Sequence, residues 1–437
     1  MSTNDSFNSG RRGFLRAGTL AGVAALPAAM IGSACAGPAA ETAATGDDAL
    51  PESIRALESV AHRVVPITVD ERRERLARAQ QLMEASGIDA MFIGAGSSLV
   101  YFTGIRWGNS ERLTGMVLTR SGDPVYVTPE FERERTLEQI TFGHDVRGWH
   151  EDEDPYRLVA QVVRERGVGT GTLAMEEMVP FFRSKGIADA LPQMKVVDAW
   201  PVTAGCRRIK SAAEIALMRL ANENTLKVYE AVWRALKPGM SEKSISGLIG
   251  TAYARTGLQG GASVNVGKYT ASPHGSLAPQ TLVEGTPIIF DGGCRADGYT
   301  SDITRTVVVG EPNDSIRKVF DIVLEAQNAA LAAARPGVAM GALDAAARKV
   351  ISDAGYGPDY RYFTHRLGHG IGLDMHEWDY LVRGNQHLLE PGMTFSNEPG
   401  IYIEGQFGVR LEDILYVTED GAGLMTPQSP SIDQPFG

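Results

Sequence analysis

Three of the eight histidines fall within twelve positions, in the stretch His365-Arg366-Leu367-Gly368-His369-Gly370-Ile371-Gly372-Leu373-Asp374-Met375-His376-Glu377. Glycines at 368, 370 and 372 leave little side chain around His369, so the segment could wrap a metal ion closely. A single imidazole is more often a hydrogen-bonded core residue than a ligand, and it is the acids around this stretch that favour chemistry. Asp291 ends the apolar run Ile288-Ile289-Phe290, and Asp302 stands just before Ile303-Thr304-Arg305-Thr306-Val307. Glu398 lies in Ser396-Asn397-Glu398-Pro399-Gly400, and Glu412 in Val409-Arg410-Leu411-Glu412-Asp413. A carboxylate flanked by a buried strand must be paired or bind a metal. Arg410 precedes Glu412 by two residues and so projects from the same strand face. It can grip a substrate carboxylate in bidentate fashion or hold a ligand carboxylate in place, and its closeness to Glu412 favours the second role.

The elements that must position these groups are written in duplicate. Leu236-Lys237-Pro238-Gly239-Met240 recurs as Ala334-Arg335-Pro336-Gly337-Val338, an offset of 98, and each copy is followed by a helical pattern ending at a glycine, Gly257 or Gly355. Leu282-Val283-Glu284-Gly285 leads to Asp291 as Leu389-Glu390-Pro391-Gly392 leads to Glu398, an offset of 107. This alignment matches Asp291 with Glu398 and puts Asp302 near Glu412 and His274 near His369. Two copies make a duplicated fold rather than a solenoid. Helices expected to reach Leu236 and over Ser241–Thr256, Asp314–Ala334 and Gly341–Ala354 alternate with strand runs, which implies helices over one curved, mainly antiparallel sheet.

On these motifs the chain from Cys206 onward resembles the pita-bread metallopeptidases, the superfamily of methionyl aminopeptidase, aminopeptidase P and prolidase. The resemblance implies an α+β pita-bread catalytic domain with a pseudo-twofold repeat. It also implies two divalent metals held by Asp291, Asp302, His369, Glu398 and Glu412. His274, His365 and His376 would be further active-site histidines, with Glu398 doubling as proton shuttle, His376 stabilising the oxyanion, and His274 and His365 positioning substrate. Oxygen and imidazole donors without thiolate suit Mn²⁺, with Co²⁺, Fe²⁺ or Zn²⁺ as alternatives. Leu99-Val100-Tyr101-Phe102-Thr103-Gly104 resembles the Tyr-x-Thr-Gly element of the creatinase/prolidase N-terminal domain. Arg208-Ile209-Lys210-Ser211-Ala212-Ala213-Glu214 resembles the start of the catalytic domain in the prolidase branch. Where that branch often has x-Pro after His-Glu, this chain has Trp378-Asp379, which suggests a reshaped specificity wall.

The remainder sets bounds. A length of 437 residues with 43% hydrophobic content suits a two- or three-domain enzyme, and a net charge of −11 argues against a nucleic-acid partner. Residues 1–36 read as a twin-arginine-type export signal. Arg11-Arg12 precedes an apolar run from about Thr19 to Ile31, too short for a membrane span, and an Ala-x-Ala cleavage site ends at Ala36. Periplasmic or extracellular residence follows, with lipid anchoring at Cys35 ranked lower because Gly32 stands where a lipobox usually has leucine. A linker over 37–63 leads to an α/β N-terminal domain over 64–205 and the catalytic domain over 206–437. In the former, Thr68-x-x-Glu71 opens a helix with Leu76, Ala79, Leu82 and Met83 on one face, Ile88–Ile93 reads as a strand, and Met116–Leu118 and Val125–Val127 form a hairpin. Three cysteines make no disulfide framework, and Cys294 reads as an ordinary buried thiol beside a ligand set that is already complete.

An export signal and a full N-terminal domain argue against methionyl aminopeptidase, and the complete acid set argues against the metal-free creatinase branch. The expected substrates are small proline-containing peptides, cut between an N-terminal residue and proline by a homodimer. Thirteen residues between Glu398 and Glu412 allow little more than a tight turn, so no long loop roofs the site there. With Arg410 holding a ligand, an open-ended Xaa-Pro aminopeptidase with dipeptidase activity alongside is expected. The competing readings are a metal-assisted hydrolase or lyase of a small non-peptide substrate and a non-catalytic binding protein on the same fold.

Overall fold

The computed structural model describes residues 50–436. The expected export signal and the linker as far as residue 49 lie outside the described residues. From Pro51 the expected linker is instead docked structure. The short helix α1 (Glu52–Arg55) buries Ile54 completely, Ser53 donates to Ala231 O at 2.7 Å, and Val60 N donates to Thr256 O at 2.8 Å. Polar composition concealed this, because a single buried isoleucine and two backbone-directed bonds suffice to tie the segment down.

Next comes α2 (Val69–Ala85), capped by Thr68 Oγ1, which accepts from Glu71 N at 3.2 Å. The expected capping box is only half formed, because the Glu71 carboxylate accepts from Arg75 (2.8 Å) and from Ser211 Oγ (2.7 Å) instead. A six-stranded sheet follows: β1 (Ala90–Gly94), β2 (Gly115–Thr119), β3 (Val125–Pro129), β4 (Val146–Trp149), β5 (Gly171–Met175) and β6 (Met194–Asp198). Its spatial order is β4-β3-β2-β1-β5-β6. The expected hairpin is present, with Val117 opposite Val125. Helices α3 (Ser97–Thr103), α4 (Arg133–Leu137), α5 (Pro155–Glu165) and α6 (Phe181–Ala190) connect the strands, and α7 (Trp200–Arg207) runs straight across the expected boundary at 205/206.

Helix α8 (Ala212–Trp233) opens on a complete capping box: Ser211 Oγ accepts from Glu214 N, and the Glu214 carboxylate accepts from Ser211 N. The order then reads α9 (Glu242–Thr256), β7 (Gln259–Val266), a 3₁₀ turn (Gly267–Ala271), β8 (Pro287–Ala296), β9 (Tyr299–Thr300) and β10 (Ile303–Val308). The second half repeats it as α10 (Asp314–Ala333), α11 (Met340–Asp353), β11 (Gly368–Gly370), β12 (Glu377–Leu381), β13 (Thr394–Asn397), β14 (Gly400–Ile403), β15 (Phe407–Arg410), β16 (Asp413–Val417) and β17 (Ala422–Leu424). The duplication extends to individual bonds. Gly239 N donates to Leu282 O and Leu282 N to Met240 O, just as Gly337 N donates to Leu389 O and Leu389 N to Val338 O. These are the offsets of 98 and 107 seen in the sequence.

Two expectations change. The strands beyond α8 form three antiparallel sheets rather than one, β10-β8-β7 with β9, β12-β11-β13-β16-β17, and the pair β14-β15, the first two joined by an isolated bridge between Thr304 and Glu412. His274 is also not the repeat partner of His369. Gly370 lies opposite Phe395, and Phe395 matches Ile288, which lies opposite Val266. Asn265 therefore stands where His369 does, and His274 sits in the loop beyond. Two apolar cores interlock here, with Ile371 and Ile414 of the second half packed into the first core and Val308 of the first half into the second. Val228, Ile245 and Phe290 belong to one that continues into the N-terminal domain, and Phe320, Leu343 and Phe395 to the other. Among the described residues no helix is long and apolar enough to cross a membrane.

Candidate metal centre

All nine residues singled out from the sequence, His274, Asp291, Asp302, His365, His369, His376, Glu398, Arg410 and Glu412, line one cavity of about 470 Å³. A larger one, about 540 Å³, lies between α1 and α8 and is lined by no comparable set of acids. Asp291 projects from mid-β8, Asp302 from the turn between β9 and β10, and Glu412 from the bridge where the sheets meet. His369 is the central residue of β11, and Glu398 follows β13. The glycines beside His369 serve strand packing rather than metal wrapping: a Cβ on Gly368 would lie 1.9 Å from Ser396 O. At Gly372 the near neighbour is the Glu377 carboxylate, at 2.7 Å.

His369 Nε2 lies 3.4 Å from Glu398 Oε1 and 3.7 Å from Asp302 Oδ2. Ligand atoms of Asp302, His369 and Glu412 lie within 4.8 Å of one another, and all three side chains are buried. Burial, then Asp291 and Glu398, pushes the Asp302 carboxyl well above its ordinary range, and burial, then Asp302, does the same to Glu412. Burial raises Glu398 while Arg410 pulls it back and Asp291 pushes it up again, leaving it at about 7. Burial, then His376, drives His369 down to about 3, into the neutral form that ligates. Against four clustered carboxylates the cavity sets two guanidinium groups, Arg410 and Arg366, and a neutral imidazole, so positive charge falls short, and a divalent cation with hard-oxygen preference would supply what this donor set requires.

Arg410 is fully engaged within the protein. Its Nη2 donates to Asp291 Oδ2 (2.6 Å), Nη1 to Tyr402 Oη (2.8 Å) and Pro273 O (3.1 Å), and Nε to Thr304 Oγ1 (3.2 Å). Tyr402 Oη in turn lies 2.7 Å from His365 Nε2, and His365 Nδ1 lies 2.8 Å from Arg366 O. His365 Nδ1–H therefore donates to the carbonyl, and Nε2 accepts from the phenol. Burial pushes that phenol up to about 12, so it stays protonated. With both nitrogens engaged, His365 offers a substrate its ring face rather than a hydrogen bond.

Three participants were not legible beforehand. Thr304 Oγ1 lies 2.6 Å from Glu412 Oε2 and 3.2 Å from Asp291 Oδ1, and Tyr402 ties Arg410 to His365. Arg366 lines the cavity half-buried, its guanidinium 3.9 Å from the Tyr380 ring centroid and without an ion pair among the described residues. The period-2 spacing of Asp302, Thr304 and Thr306 was the available signal for Thr304. Trp378 and Asp379 do not line the cavity, contrary to the reshaped wall expected of them. Trp378 stacks on Arg207 (4.8 Å), and Asp379 pairs with Arg208 (3.0 Å). Cys294 lies toward the end of β8, its thiol 3.3 Å from Ala221 O in α8, and burial raises its pKa.

Residues 216–419 match metallopeptidase family M24, and residues 75–209 match the creatinase/prolidase N-terminal domain. The chain is 38% identical over 353 residues to a probable dipeptidase PepE of Mycobacterium tuberculosis, covering 80% of this chain and 92% of that protein. It is 33% identical to a Xaa-Pro dipeptidase of Lactobacillus delbrueckii subsp. lactis, covering 82% and 98% respectively. The crystal structure of dipeptidase PepE from Mycobacterium ulcerans superposes with a TM-score of 0.77 at 36% identity, covering 83% of this chain and 97% of that one.

Proposed function

The chain belongs to metallopeptidase family M24, with the pita-bread fold and a creatinase/prolidase N-terminal domain, and from that premise we propose that it is a Xaa-Pro peptidase acting preferentially on dipeptides. Asp291, Asp302, His369, Glu398 and Glu412 would hold two divalent ions, Mn²⁺ best suiting the oxygen-rich set and Co²⁺, Fe²⁺ or Zn²⁺ being acceptable. When bound, such a pair supplies an acidified water and a Lewis acid for the scissile carbonyl. Glu398 takes the proton from the attacking water on its carboxylate and returns it to the departing proline nitrogen. His376, exposed at the cavity rim with its ring centroid 4.0 Å from that of His369, donates to the developing oxyanion. The ring face of His365, with Tyr360 and Val382, gives the pyrrolidine an apolar wall.

The observation that carries the dipeptide preference is Arg366, which lines the cavity stacked on Tyr380 and without an ion pair among the described residues. The closeness of Arg410 to Glu412 predicts an open-ended aminopeptidase, and Arg410 does hold Asp291. Arg366 is a second guanidinium in the same cavity, free to take the C-terminal carboxylate of Xaa-Pro as a charge-assisted pair. Relatives named as dipeptidases agree with this. Kinetics on Ala-Pro, Ala-Pro-amide and Ala-Pro-Ala-Ala are the test. kcat/KM should favour Ala-Pro over the tetrapeptide by at least tenfold, and Arg366→Gln should raise KM for Ala-Pro while sparing the amide. Equal kcat/KM for the two peptides would overturn the preference. Export through Arg11-Arg12 belongs to the same proposal. Arg11→Lys with Arg12→Lys should hold the precursor in the cytoplasm, and an undiminished exported yield would refute it.

A further inference from the structure

His376 makes no hydrogen bond among the described residues and is exposed at the cavity rim, so the place of its ring follows from the backbone that carries it. That backbone is a tight turn. Gly372 N donates to Asp374 O at 3.0 Å, and Glu377 Oε1 accepts from Leu373 N at 3.0 Å and Asp374 N at 3.3 Å. The same carboxylate is gripped from outside the turn. Arg207 Nη2 donates to Glu377 Oε1 at 2.6 Å, and Lys210 Nζ donates to Glu377 Oε2 at 2.7 Å, all three side chains being 2% exposed. Arg207 Nη2 also donates to Asp374 Oδ2 at 2.7 Å, its Nη1 donates to Ser98 Oγ at 3.0 Å, and its guanidinium faces Trp378. Asp374 is bonded in addition to Ser97 at the start of α3. Residues on both sides of His376 are thus fastened to α7 and α3, and His376 itself is left pointing into the cavity.

We propose that Arg207 is a positioning residue for the reaction, acting through Asp374 and Glu377 to set the turn that holds His376 beside His369. Neither it nor its two acidic partners lines the cavity. The N-terminal domain therefore takes part in the chemistry at one remove, through Ser97, Ser98 and the end of α7. This inference rests on the oxyanion role given to His376 above.

Arg207 and Glu377 are fully buried, and their variants could lose the fold. Asp374, with a side chain 41% exposed, is the informative position. The full chain with Asp374→Asn should show kcat for Ala-Pro lowered about tenfold, with KM, bound metal by elemental analysis and Tm at parental values. Introduced into His376→Ala, the same substitution should change kcat less than twofold, because the group it positions is gone. Asp374→Glu should recover most of the lost kcat. Parental kcat in Asp374→Asn, or a tenfold loss that persists undiminished in the His376→Ala background, would overturn the proposal. Parental kcat in His376→Ala alone would instead overturn the role of His376, and the proposal with it, so the two failures are read from different variants.

Discussion

The hydroxyl of Thr304 lies between the carboxylates of Glu412 and Asp291, and it performs two tasks with one oxygen. It donates to Glu412 at 2.6 Å and accepts from Arg410 Nε at 3.2 Å, so the same atom orients one carboxylate of the cluster and the guanidinium that holds another. Thr304→Val keeps the shape and the strand preference and removes only this oxygen. The variant should fold and should bind metal about 10- to 100-fold more weakly, as loss of an outer-shell partner does elsewhere. Competition with a chelator of known affinity measures this, and a parental binding constant would contradict it. The residue that looks interchangeable with its neighbours in a β run is here the one that cannot be exchanged for an isostere.

Strand β11 is short, but two sheet neighbours and the placing of His369 depend on its register. Gly368→Ala would place a methyl against the backbone carbonyl of Ser396, which cannot swing aside, and β11 would have to leave β13. Gly337 provides the comparison: its φ is +80° with open space around it, so alanine there meets only the left-handed penalty of about 1–2 kcal/mol. Urea unfolding midpoints should therefore fall much further for Gly368→Ala than for Gly337→Ala, and equal falls would count against the strand-packing account. Elements of this kind were largely readable in advance. The helices, the duplicated Pro-Gly turns and the acids beside apolar runs announce themselves locally. What stayed hidden is contact between distant parts of the chain. Thr304 and Tyr402 read as ordinary strand formers, nothing near Arg207 points to an acid 170 residues away, and polar composition disguised the docking of Pro51 to Arg63. The division into separate sheets was hidden for the same reason, since the single bridge between the larger two leaves no pattern in either strand.

At the scale of the whole chain, the buried cluster beneath His376 links acidity to stability. Burial alone would raise the Glu377 carboxyl, but Lys210 and Arg207 overcome it and hold the group at about 2, below its ordinary 4.5. A depressed carboxylate contributes stability that is complete above its unfolded pKa and is lost as pH falls from about 4.5 toward 2, on the order of 3 kcal/mol for such a shift. In chelator, so that metal release is common to both proteins, the parent should lose stability across that window more steeply than Glu377→Gln. Parallel denaturation curves would show that the carboxylate is not held low. The wider consequence lies in the joint between the sheets. Its polar contacts are the Thr304 bridge, Arg305 reaching Asp413 at 2.7 Å, and Thr306 donating to Arg410 O at 2.8 Å, and Ile371 and Ile414 add apolar contact across it. An apolar core lies to either side. Asp291 and Asp302 come from one half, and His369, Glu398 and Glu412 from the other or from the joint itself. A cation held between these residues would join the two folding units, so it should govern cooperativity as well as turnover. The loaded protein should melt in one calorimetric transition and the stripped protein in two, with amide hydrogens of α10 and α11 exchanging independently of those of α8 and α9.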